Sequence, residues 1–485
     1  MRVMSLLRKP MMRIRGRRDT VPVATAAPAD ELLSQHEQLC RELAGAESPA
    51  AANARLADLE CRLGLEMLQS FPTTVSLCST NVCNARCTFC DYTPKPAGMA
   101  DFMSLDDVRR MSWLKYVSAL NLNAGYGDSL ANPHFGDIYG HVRQAHPHLH
   151  CSLVTNGLGL SESLSRQFVG QSIRHTPCAV GGGTRSVPDT GALDDLLISV
   201  NAARQPTWDA LMRQGSFPRV LENIARLVEL RKNADASKPR LALSMVLCKD
   251  NLAEAVEFVE LAHRLGVEQV VFAHYLSVSL VGGRTMPAEQ SLYFDRAHCD
   301  AVMAAAARRA DELGVVLARP LPFDAAPTCT FVGDRVARAV PVCEKPWKSC
   351  VLSCLPGAER DREMVFCCFG AFYRIEYAKE DLSEATFLAR VWNHPAARYV
   401  RRTINGRGFN PVCEACRSVD RFDPANASRY RELYRAISAA FTPDGGQIEA
   451  RLRAAITSSP LPPGEGGVRA AASNPAPTEP PMHHA

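Results

Sequence analysis

The chain has 485 residues, 46% hydrophobic and 22% charged, enough to bury a large core and to form two or three domains. No apolar run reaches the roughly 18–20 residues needed to cross a bilayer, which argues against a membrane span. The formal charge of +4 is nearly all local: residues 1–20 carry seven basic side chains against Asp19, leaving 48 basic and 50 acidic residues beyond them.

That basic arm, residues 1–28, lacks the apolar core and cleavage site of a secretory signal. It reads as a disordered, solvated segment; nucleic-acid binding is the weaker reading, and no nucleic-acid partner is expected. Residues 29–72 read as a helical segment, with Leu56, Leu59, Leu63 and Met67 at helix spacing and Pro72 closing it. Short apolar runs then alternate with amphipathic stretches. Strands are expected at 74–78, 120–124, 150–155, 196–201, 241–247 and 270–275. Helices are expected at 104–119, 136–146, 160–169, 207–233 and 252–265, and Ser104 with Asp107 is spaced as a capping box. A further helix at 298–313 leads to the run 315–318.

Repeated strand–helix units predict a parallel sheet with helical crossovers, and six of them can close partly into a barrel. The expected fold is therefore α/β, a partial (β/α)6 TIM-like barrel over about 73–325, with its chemistry on the loops after the strands. Residues 171–194 are Gly/Pro-rich and read as a surface insertion. Gly181, Gly182 and Gly183 lack the following Lys-Ser/Thr of a phosphate loop. Residues 421–456 read as helical and 457–485 as a disordered Pro/Ala/Ser/Gly tail, whose His483-His484 pair is too short for a metal site.

Eighteen cysteines in a long chain without a signal sequence point to metal-binding thiols in a reducing, cytoplasmic compartment. Three lie within 83–90 and seven within 343–416; of the scattered ones (Cys40, Cys61, Cys78, Cys151, Cys178, Cys248, Cys299 and Cys329) most read as small core residues. The sequence Cys83-Asn-Ala-Arg-Cys87-Thr-Phe-Cys90 follows the first expected strand directly. Three thiolates in one loop can ligate three irons of a cubane and leave the fourth open to a small molecule. A zinc knuckle is the competing reading, although the nearest downstream ligands, His134 and His141, lie past the next strand.

The CxxxCxxC spacing, with Phe89 before the last cysteine, resembles the defining motif of the radical S-adenosylmethionine superfamily. The resemblance implies that the amine and carboxylate of S-adenosylmethionine chelate the open iron. One electron then yields a 5′-deoxyadenosyl radical that takes hydrogen from substrate. It also implies an external electron donor such as flavodoxin or ferredoxin. After strand 2, Asn-Ala-Gly125-Tyr-Gly127-Asp128-Ser resembles a variant of the family's glycine-rich contact to the methionine amine. Tyr126 and Ser129 depart from that pattern. Ser199 and Asn201 alternate with Ile198 and Val200 on strand 4, so both are expected on one face. With Ser244, Val246 and Asn251 at the end of strand 5 they resemble the family's ribose and adenine positions.

From Cys343 the chain reads Cys-Glu-Lys-Pro-Trp, then Cys367-Cys368-Phe-Gly, then Cys413-Glu-Ala-Cys416. This resembles the auxiliary-cluster extension called SPASM, or its shortened twitch form, over about 340–420. It implies a second iron–sulfur cluster on Cys343, one of Cys367 or Cys368, Cys413 and Cys416. Cys350 and Cys354 are surplus to that count. A zinc site built from four cysteines competes here as well. Relatives of this layout oxidise or crosslink peptides, or dehydrogenate small polyols, so the substrate expected is a peptide or a small molecule, and the twitch-like brevity leans towards a dehydrogenase on a small polyol. The alternative is a non-catalytic iron–sulfur or zinc-binding module.

Overall fold

The computed structural model describes residues 29–90, 100–123, 127–171, 191–275, 286–320, 322–323, 343–353, 362–366, 375–410, 413 and 450. Gly125, Cys354, Cys367, Cys368 and Cys416, and most of the 171–194 insertion, lie outside them. Two helices come first, α1 (Ala29–Ala44) and α2 (Pro49–Leu63). They divide the continuous helical segment read from periodicity, because Ser48 and Pro49 end one helix and start the next.

Seven strands then run in chain order, separated by helices: β1 (Thr74–Cys78), β2 (Ala119–Asn121), β3 (His150–Thr155), β4 (Asp195–Ser199), β5 (Arg240–Leu247), β6 (Gln269–His274) and β7 (Val316–Ala318). The crossovers are α3 (Leu105–Arg109), α4 (Phe135–Ala145), α5 (Glu162–Phe168), α6 (Gln205–Met212) with α7 (Phe217–Asn233), α8 (Ala255–Leu265) and α9 (Arg296–Leu313). Neighbouring strands from β1 to β7 are all parallel, as helical crossovers require. The order places every strand's C-terminal end on one side. The sheet is open, an α/β arrangement of the partial-barrel kind.

Its two faces differ. Val75, Leu77, Leu120, Cys151, Leu153, Leu196, Ile198, Leu243, Met245, Val270 and Phe272 belong to the main core beneath the helices. The alternate positions carry polar groups at one side, Ser76, Asn121 and Ser152, which register across β1, β2 and β3, and a second apolar cluster at the other, Leu197, Ala242 and Val271 with Val154 and Ala318. Period-two alternation thus separates the main outer core from an inner face that is polar across β1 to β3 and carries a smaller apolar cluster across β3 to β7. Cys61, Cys78, Cys151, Cys248 and Cys299 are buried in cores, as expected of isolated thiols, whereas Cys40 is half-buried and Cys178 and Cys329 lie outside the described residues. Residues 192 and 193, at the end of the supposed surface insertion, are fully buried, since they lead the chain back into β4.

The sheet continues on the other side of β1. Strand β8 (Ser349–Ser353) pairs parallel to β1, with Thr74 opposite Ser349 and Cys78 opposite Ser353. Strand β9 (Glu363–Val365) pairs antiparallel to β8 and β10 (Ile375–Glu376) antiparallel to β9, making ten strands among the described residues. Cys350, one of the surplus cysteines, points into the main core from β8. The segment before β1 is fastened by the C-terminal residues. Trp347 Nε1 donates to Leu65 O at 2.9 Å, Trp392 Nε1 to Ser70 O at 3.0 Å, and Asn393 exchanges two bonds with the Leu68 backbone. Among the described residues no helix is long and apolar enough to cross a membrane.

Candidate metal centre

The loop after β1 carries the cysteine trio, and its conformation is set by elements on three sides. From below, Met103 N donates to Ser79 O at 2.8 Å, and Asn81 Oδ1 accepts from Asp101 N at 2.8 Å. From the side, Arg86 N donates to Met212 O at 3.0 Å and Thr88 N to Leu211 O at 2.9 Å. The last carbonyls of a helix have no partner inside it, so the cysteine loop caps the C-terminus of α6. From above, Met286 N donates to Thr88 O at 3.0 Å. Phe89 packs partly buried against Leu211, Cys248, Tyr275 and Met286.

That bracing depends on a break that helical periodicity hides. The stretch expected as one helix at 207–233 is two, with Arg213 and Gly215 in left-handed backbone between them. Ser216 then caps α7 and Pro218 occupies its first turn. This Gly-Ser-x-Pro run is a stop-and-start signal available in the sequence. The break exposes the carbonyls of Leu211 and Met212 to the cysteine loop. It also sets Met212 Sδ 3.4 Å from Cys87 Sγ. At the other end of α6, the buried Glu254 carboxylate accepts from Ala203 N at 2.8 Å and Arg204 N at 3.2 Å.

Cys83, Cys87 and Cys90 are all half-buried. Burial, then the Asp128 carboxylate, pushes the Cys83 thiol up to about 12. Cys87 is raised well above the ordinary thiol value by burial and then by the charges of Cys90 and Cys83. The three thiols are therefore electrostatic neighbours, and three thiolates there are costly unless a cationic core neutralises them. A cationic iron–sulfur core fits that donor set. Among the described residues no three His, Cys, Asp or Glu side chains converge on a point that would hold a single metal ion. A cubane sets each thiolate on its own iron, so convergence is not asked of the trio.

The remaining sequence-derived positions fall into two groups. Gly127 has a φ of +68°, and a Cβ there would lie 2.5 Å from Thr80 O and 2.7 Å from Val82 O. The loop after β2 thus lies directly against the entry to the cysteine loop, and Asp128 N donates to Val82 O at 2.8 Å. Gly127→Ala combines left-handed strain with that clash. We expect a stability loss of at least about 2 kcal/mol, read as a lower urea midpoint; an unchanged midpoint would contradict this packing. Ser199 and Ser244, opposite each other on β4 and β5, are half-buried on the inner face and bond through their hydroxyls at 3.1 Å.

Asp128 and Asn201 are instead turned into the protein. Asp128 is buried; its carboxylate accepts from Thr155 Oγ1 at 2.9 Å, Asn156 N at 2.8 Å and Leu130 N at 3.0 Å. It ties the end of β3 to the loop after β2. Asn201 does not share the face of Ser199, because β4 ends at Ser199 and Asn201 takes a left-handed φ of +65°. Its Oδ1 accepts from Val246 N at 2.9 Å, and its Nδ2 sits 3.4 Å from Met212 Sδ. Asn251 is likewise buried and bonds Cys248 N, Val246 O and Asn201 O.

Of the cysteines named by the auxiliary-cluster resemblance, Cys343 and Cys413 are among the described residues. Both are half-buried and pack against the main core. Each is anchored by an asparagine that follows the helix Pro395–Thr403: Asn405 Oδ1 accepts from Cys343 N at 2.7 Å and Asn410 Oδ1 from Cys413 N at 3.2 Å.

Residues 77–262 match the model of the Radical SAM superfamily. No curated protein matches the chain. Among solved structures, Streptococcus suis SuiB bound to the precursor peptide SuiA aligns with a TM-score of 0.50 at 12% identity, over 77% of each chain. SuiB bound to S-adenosylmethionine gives 0.46 at 14% identity, over 70% of this chain and 71% of that one. The enzyme anSMEcpe with bound AdoMet gives 0.43 at 12%, over 79% and 99%. At such identities the likeness is one of fold.

Proposed function

We propose, from the premise that residues 77–262 form a radical SAM domain, that this chain reductively cleaves S-adenosylmethionine and abstracts hydrogen from a substrate carbon. The observation that carries this reading is the trio Cys83, Cys87 and Cys90 in one braced, half-buried loop at the C-terminal edge of the sheet. With a 4Fe–4S cluster and S-adenosylmethionine bound, the pair supplies a 5′-deoxyadenosyl radical. The chain's part is to bind, orient and exclude. The three thiolates hold three irons, and the backbone at Gly127 allows the loop after β2 to close against them. The Ser199 and Ser244 hydroxyls are the polar groups on the inner face suited to a ribose, and Phe89 walls off the side towards Tyr275 and Met286.

A second cluster on Cys343, Cys413, Cys416 and one of Cys367 or Cys368 completes the reading. The asparagine anchors of Cys343 and Cys413 support it. Such a cluster can accept an electron from a substrate radical, which makes a net oxidation or a crosslink the expected outcome. For the substrate, a peptide is favoured over a polyol, because SuiB, similar in fold, is bound to a precursor peptide in its structure.

The test is anaerobic reconstitution of the full chain with iron and sulfide. Reduction in the presence of S-adenosylmethionine should release 5′-deoxyadenosine, and a deuterated substrate should pass deuterium into it. A chain that binds iron or zinc yet leaves S-adenosylmethionine intact would establish the non-catalytic module instead.

A further inference from the structure

Asn156, directly after β3, has its side-chain amide fixed in orientation. Leu158 N donates to its Oδ1 at 2.9 Å, so the Nδ2 group must face the other way. There it donates to Asn84 Oδ1 at 2.6 Å and lies 3.8 Å from Cys83 Sγ. The residue is 7% exposed, and its backbone N–H is held by the buried Asp128 carboxylate. Asp128 also takes the Thr155 hydroxyl, and Asn223 Nδ2 donates to Gly157 O at 2.9 Å. The chain on both sides of Asn156 is thus tied down, leaving its amide one direction to point. Ala85 N adds a second donor to the same sulfur at 3.4 Å.

We propose that Asn156 is a positioning residue whose N–H···S bond to Cys83 sets the reduction potential of the cluster held by the trio. This rests on the function proposed above. Reduction adds an electron to the cluster and negative charge to its sulfurs. A donor fixed on one thiolate stabilises the reduced form more than the oxidised form. Because protein contacts fix the amide's orientation, little reorganisation accompanies the electron. Nothing in the sequence spacing links Asn156 to Cys83; the link passes through Asp128 and the β2–β3 pairing.

The experiment is an anaerobic redox titration of the full-length reconstituted protein, followed by the paramagnetic signal that responds to S-adenosylmethionine. Asn156→Leu removes the donor at similar volume. Asn156→Asp keeps the acceptor for Leu158 N and turns a carboxylate toward the sulfur. Both should keep wild-type iron and lower the reduced-to-oxidised ratio at a fixed potential. For Asp the drop should be about tenfold or more, 59 mV for a one-electron couple, and for Leu it should be smaller. Iron retained with an unmoved potential overturns the assignment. So does iron loss in which the remaining clusters titrate as wild type, because that marks a purely structural residue. A wild-type chain with no responsive signal would sink the proposed function itself.

Discussion

Cys87→Ala should abolish 5′-deoxyadenosine formation, to below about one-thousandth of the wild-type rate, a loss of at least roughly 4 kcal/mol of transition-state stabilisation. Cys87 sits in the middle of the trio, and its charge interacts with both Cys90 and Cys83. Removing it leaves two thiolates, too few to hold a cubane with a single open corner. Bound iron should fall by about four of the roughly eight atoms expected for two cubanes. Cys413→Ala supplies the contrast: it should cost a similar amount of iron while S-adenosylmethionine cleavage persists. Equal loss of cleavage in both variants would contradict the division of labour between the two cysteine groups.

Arg401→Met should cost about 3–5 kcal/mol of stability, the largest effect expected from a residue remote from the cysteine trio. Arg401 is fully buried, and among the described residues none of its hydrogen-bond acceptors is a carboxylate. Its guanidinium donates to Pro346 O at 2.9 Å, Glu66 O at 3.0 Å, Trp392 O at 2.8 Å and Asn393 Oδ1 at 3.2 Å. It also lies over the Trp392 ring, 4.7 Å from the centroid. Methionine fills much of the volume but leaves those carbonyls buried without their donor. The same carbonyls belong to the segments that fasten residues 65–70, and so fix where β1 begins. A chemical-denaturation midpoint within about 0.5 kcal/mol of wild type would show that this junction is not what holds the two ends of the chain together.

Local pattern carried much of the fold. The runs at 74–78 and 150–155 are strands with those bounds, and the Ser104–Asp107 capping box forms as spaced, with Asp107 N on Ser104 Oγ at 3.2 Å. Periodicity alone could not divide 207–233, because α6 and α7 bury faces that continue one another in sequence; only Gly215, Ser216 and Pro218 mark the break. The parallel pairing of β8 with β1 joins residues about 275 positions apart. Sequence spacing carries no information about such a contact.

At the site, residue chemistry was more legible than residue direction. The trio is adjacent in sequence, so one loop brings it together. Ser199 keeps the inner-face position that alternation assigns, while Asn201 loses it to a single left-handed residue. Met212 and Asn156 were not singled out by the sequence pattern. Neither belongs to a local pattern of ligand types, and both reach the cysteines through backbone geometry set by other elements.

The most direct measurement is electron–nuclear double resonance of the reduced, reconstituted protein with S-adenosylmethionine labelled at its amine nitrogen and carboxylate oxygens. Strong coupling of both labels to a cluster signal that vanishes in Cys87→Ala is the predicted result. A reduced cluster with no coupling to either label, or metal content made up of zinc, would contradict the account at its root.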